Sequence, residues 1–185
     1  MSNVKKLTNY FQTLLKSKEH KNDTLYAIVD AAINKEFTKV LHMQEPNSYS
    51  ILLKEPLATQ VEKAAPYLVE LNLKEAYTQE LMKKGFATNW ITYILSHKNL
   101  NELTEELKEM IMPYSEQHER EILFRFYDPR NLDNYVMIHN EEELEMMFED
   151  VGGSLFTVDV QEPNFLHVYS QKKNFEMIEL EEVKV

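Results

Sequence analysis

The stretch EILFRFYDPR, Glu121–Arg130, is an apolar, aromatic run with an arginine at its centre and an abrupt Asp-Pro-Arg end. Pro129 has no N–H to donate, so a central strand cannot pass through it. It also holds Asp128 in an extended conformation. Proline suits the first position of a helix, and aspartate suits the cap just before it. The stretch therefore predicts a strand ILFRFY ending at Tyr127, a cap at Asp128 and a helix beginning with NLDNYV. Arg125 lies between Phe124 and Phe126; if both rings face one side, the guanidinium faces the other. In a central strand it needs a carboxylate or a route to water. Asp30 and Asp128, both at predicted strand ends, are its reachable partners. An ion-paired arginine that braces the sheet is preferred to a catalytic one. Catalysis would need a nucleophile or a poised acid/base pair beside it, and the sequence names none.

Outward from this stretch, helix and strand signals alternate. Val4, Leu7, Phe11, Leu14 and Leu15 recur at helical spacing near the start. TLYAIV (Thr24–Val29) reads as a buried strand, and Asp30 as the cap of a helix over AAINKEFTKVLHM. YSILLK, YLVEL and NWITYILSH are further strands, with a turn or short helix between Pro56 and Pro66 and a helix over Lys74–Lys84 stopped by Gly85. Leu100, Leu103, Leu107 and Ile111 form one helical stripe. Asn99 with Glu102, and Asn140 with Glu143 before EELEMMFED, read as capping boxes. After Gly152-Gly153 come LFTVDV, FLHVYS and FEMIEL, joined by QEPN and QKKN turns. The expected class is α/β (α+β): a single domain over 1–185, with a mixed sheet flanked by helices and ending in an antiparallel meander.

Charge and composition narrow the function. The chain has 185 residues, 20 Lys+Arg and 31 Asp+Glu, for a net charge of -11. That balance argues against nucleic acid, whose phosphates need a basic face, and against an anionic membrane surface. It favours a basic protein partner. No cysteine is present, which suits a reducing cytoplasm. The first segment has no apolar core or cleavage site of a signal peptide, and no window approaches the ~18 apolar residues of a membrane span.

Familiar catalytic patterns are missing. The three glycines form no phosphate-cradling loop, and G-x-S-x-G and HExxH are absent. The six histidines are scattered, with no pair spaced for one helical face, so no metal site is expected. His167, between Leu166 and Val168, reads as a strand residue on an exposed face. Trp90 and the individual methionines read as core, and Glu141–Glu143 as a solvated first helical turn.

Taken in order, TLYAIVDAA, YSILLKEPLATQVEKAAPYLVEL, GFATNWITYILS, EILFRFYDPRNL and EELEMMFEDVGGSLFTV resemble one family. It is the adaptor, or effector-chaperone, family of bacterial type VI secretion systems (Tap/TEC proteins), long known as a domain of unknown function. LFRFYDPR is its most distinctive motif. The resemblance spans Thr24–Val158 and leaves 159–185 as a C-terminal hairpin and acidic tail, where many members carry a further helical lobe. It implies a non-enzymatic, cytoplasmic protein without catalytic residues, cofactor or metal. Such a protein binds a toxin effector and promotes its loading onto the VgrG spike; whether it touches the spike directly is left open. The matching positions are Asp30, Pro66, Tyr67, Leu68, Trp90, Arg125, Tyr127, Asp128, Pro129 and Arg130. Asp30, Arg125 and Asp128 are expected to hold the fold, and Arg130 to be exposed. Two other readings stand beside it. One is an immunity protein that covers a toxin's active site. The other is an enzyme that uses Arg125, Asp128 and Arg130 on a phosphorylated or carboxylated substrate.

Overall fold

The computed structural model describes residues 2–37, 41, 48–172 and 175–181. The chain opens with α1 (Asn3–Lys16), whose Leu7 and Phe11 are buried at helical spacing. Strand β1 (Thr24–Asp30) is buried along nearly its whole length, as its uninterrupted apolar run requires. It is followed by β2 (Tyr49–Ile51), α2 (Leu57–Gln60), β3 (Pro66–Glu70), α3 (Ala76–Gly85) and β4 (Ile91–Ser96). Next come α4 (Leu100–Ile111), a hairpin of β5 (Tyr114–Ser115) and β6 (Arg120–Glu121), α5 (Pro129–Ile138) and α6 (Glu141–Val151). Strands β7 (Gly153–Val158), β8 (Phe165–Tyr169) and β9 (Glu176–Glu179) end the described chain.

Seven strands form one sheet in the order β2-β3-β1-β4-β7-β8-β9. The α+β class and the C-terminal meander are as expected. The strand directions are not mixed, however: every pairing in the sheet is antiparallel. The helices between strands therefore do not act as right-handed crossovers between parallel neighbours. They return the chain to the opposite direction.

Strand register divides the helices between the two faces. Tyr93 and Phe156 are paired neighbours, and both meet Phe11 of α1, with ring centroids 5.3 and 5.4 Å apart. Ile91 shares that face by strand alternation and packs on Gly85 of α3, where an added Cβ would lie 2.8 Å from it. Thr92 and Ser96 point to the other face. The Thr92 hydroxyl donates to the Tyr127 carbonyl just before α5, and the Ser96 hydroxyl to the Val151 carbonyl at the end of α6. Each fully buried Leu or Phe in this three-layer core contributes about 1.5–3 kcal/mol.

Ile122–Tyr127 is the main departure from expectation, because this run is not a strand of the sheet. Strand β4 already has β1 and β7 as its neighbours. Ile122–Arg125 instead runs extended beside the end of α4. The Ile122 N–H donates to the Pro113 carbonyl at 3.0 Å, and the Phe124 N–H to the Ile111 carbonyl at 2.8 Å. Its aromatic character is used on α5, where Phe124 and Phe126 both pack against Tyr135 at 5.4 and 6.0 Å. The two rings do share a partner, and Arg125 does turn away from them. Of the helix expected over 31–43, residues 38–40 and 42–43 lie outside the described residues. So do 173–174 of the QKKN turn and the last four residues of the acidic tail.

Candidate functional site

The matching positions converge at one end of the sheet. Antiparallel pairing sets Val29 opposite Ile91, which brings Asp30, at the end of β1, beside Trp90, at the start of β4. The Asp30 N–H donates to the Trp90 carbonyl at 2.9 Å, and Trp90 is buried as a core residue. Asp30 is itself buried, and its Oδ1 accepts from the Ala32 N–H at 3.0 Å, capping the turn that follows the strand. Its Oδ2 takes a hydrogen bond from Arg125 Nη2. Arg125 is half-buried and also lies 3.5 Å from Asp128 Oδ2. Its guanidinium carbon sits 6.0 Å from the centre of the Tyr127 ring.

Asp128 has two jobs. As the N-cap of α5 it accepts from the Arg130 N–H at 3.0 Å, with Pro129 in the first helical turn. Its carboxylate is also gripped by the Arg130 side chain, Nε on Oδ1 at 2.9 Å and Nη2 on Oδ2 at 2.6 Å. This is the two-pronged geometry that favours arginine over lysine. Burial alone would raise the Asp128 carboxyl. The bonds from Arg130 and the charges of Arg130 and Arg125 outweigh it and hold the group below the usual carboxylate range. The Tyr127 hydroxyl is pushed up, first by burial and then by the Asp30 charge. The two carboxylates read as reachable by Arg125 do lie beside it, whereas the Arg130–Asp128 pair was not anticipated; Arg130, beyond the cap, is the most exposed member of the set.

A cleft of about 500 Å³ opens next to Arg130, between the start of α5 and the β7–β8 turn. Here the structure corrects the sequence reading of His167, which is mostly enclosed rather than on an open strand face. Its Nε2 lies 3.1 Å from Asp159 Oδ2, and its Nδ1 3.5 Å from Asp133 Oδ1. The Tyr169 hydroxyl donates to Asp133 at 2.5 Å. Asp159 accepts from the backbone N–H groups of Glu162 and Gln161. Those bonds outweigh its partial burial and, with His167, hold its carboxyl low. Three of these four residues lie within 159–169, and Asp133 is distant from them in the chain. One local signal was available: His167 and Tyr169 are two apart on a strand and so share a face. Nothing local pointed to Asp133.

The class defined so far is an α+β protein with a strongly acidic sequence and a braced Asp-Pro-Arg corner. A family model described as "Domain of unknown function (DUF4123)" matches residues 25–146, which is more than half of the chain. The chain belongs to that family, which is associated with adaptors of type VI secretion effectors. No curated protein and no solved structure matches it. The matched region holds the whole Asp30–Arg125–Asp128–Arg130 network. His167, Asp159 and Tyr169 lie beyond it.

Proposed function

We propose that this chain is a non-enzymatic adaptor. It binds a type VI secretion toxin as a polypeptide cargo in the bacterial cytoplasm and promotes the toxin's loading onto the VgrG spike. Family membership supports this reading, and one structural observation carries it further. Both arginines of the family motif are engaged by carboxylates of the chain itself, Arg125 by Asp30 and Arg130 by Asp128. A guanidinium so paired is a weak receptor for a substrate phosphate, so the motif acts as a brace for the surface around it.

The test is co-expression with the toxin encoded beside this gene, followed by co-purification and a toxin activity assay. The expected result is a stable complex in which the toxin keeps its activity. Failure of the two folded proteins to associate would remove the adaptor reading. Loss of toxin activity on adding the purified protein would replace it with an immunity role.

A further inference from the structure

The segment that leads into Arg125 exposes a surface the ion pairs do not use. Ile122, Leu123 and Phe124 are 36%, 52% and 37% exposed. Three successive exposed apolar residues are uncommon on a soluble surface unless a partner covers them. The backbone adds a direction. The N–H groups of Ile122 and Phe124 point inward, to Pro113 and Ile111. The Leu123 N–H and carbonyl between them have no partner among the described residues. An extended segment with one edge bonded and the other free is a template for one more extended chain.

The surroundings select the occupant. Glu116, Glu119 and Glu121 belong to the adjoining hairpin, against Arg120 alone. The nearby Lys54 is already held by Glu109 at 2.7 Å and Glu121 at 3.0 Å. The rim is thus acidic. A second copy of this chain would bring the same acidic rim against it, an unfavourable juxtaposition. We infer that Glu121–Phe124 is a docking edge for an extended segment of a cargo protein in which apolar residues alternate with lysine or arginine. This inference rests on the adaptor reading and assigns a surface to it.

The probe is an acetylated, amidated Lys-Val-Lys-Val-Lys-Val-Lys peptide, titrated into the isotope-labelled full chain and followed by amide chemical shifts. Shifts should concentrate at Glu121–Arg125, and the Glu-Val counterpart peptide should produce none. Leu123→Pro removes an N–H that has no partner among the described residues. It should keep the melting temperature and weaken the peptide about tenfold or more. Leu123→Lys, which sets a positive charge against the peptide's lysines, should do the same and serves if the proline variant does not fold. Shifts centred elsewhere would overturn the inference, as would undiminished binding by a folded variant. So would a wild-type dimer that Leu123→Pro dissolves. If the cargo toxin binds wild type and both variants equally, the docking edge fails and the adaptor reading stands. If the toxin does not bind wild type at all, the adaptor reading fails.

Discussion

Arg125 and Arg130 look alike in the sequence, yet they do different work. Arg125 supplies the charge opposite Asp30, a buried carboxylate whose other bond among the described residues is to the Ala32 N–H. Removing one partner of a buried pair leaves the other stranded. Arg125→Ala should therefore cost about 3 kcal/mol, with partial exposure of the arginine keeping it at the low end of such losses. Arg130 is more exposed, and without it Asp128 keeps its bond to the backbone N–H at the helix start. Arg130→Ala should cost about 1 kcal/mol. Thermal melts of the two variants check the difference; equal midpoints would refute it. Asp128 also sets a pH dependence. Its folded value lies below the unfolded one, so its contribution is complete above the unfolded value and is lost as pH falls through the folded one. Asp128→Asn should therefore melt lower than wild type at pH 7, with the gap closing below about pH 4.

Among the elements, the junction of α6 and β7 is the most demanding. Gly152 caps α6 in the left-handed region, with φ of 65°. Gly153 begins β7 opposite Ser96, and a Cβ there would lie 1.9 Å from the Leu95 carbonyl oxygen. No side-chain rotation relieves a clash with backbone. Gly153→Ala should cost about 3 kcal/mol or more by forcing β7 away from β4, whereas Gly152→Ala should cost about 1 kcal/mol through its φ. Urea unfolding of both variants would measure the ratio. The Gly-Gly pair was legible as a change of pattern, and both capping boxes were legible because their donors and acceptors are three residues apart. Asp128 and Pro129 were legible for the same local reason. The strand reading of Ile122–Tyr127 failed because aromatic content reports burial against some surface without saying which one. Here the surface is Tyr135 of α5. The His167 cleft was hidden because Asp133 reaches it only through the packing of α5 on the sheet.

Across the whole molecule, the net charge of -11 acts at a distance. Association with a basic cargo should be fast at low ionic strength and slow as salt screens the field. Stopped-flow mixing over a salt series tests this; a salt-independent rate would show that encounter is not steered. Strand order has a separate consequence. Neighbours β4 and β7 are joined through residues 97–152, yet the His97 N–H donates to the Gly152 carbonyl at 3.1 Å. The excursion leaves the sheet and returns to the same point, carrying Arg125, Arg130 and the exposed Ile122–Phe124 edge with it. Such a cassette can be exchanged in a chimera without re-threading the strands, provided the donor supplies a guanidinium for Asp30. Binding preference would then travel with the insert while the host sheet stays as it is.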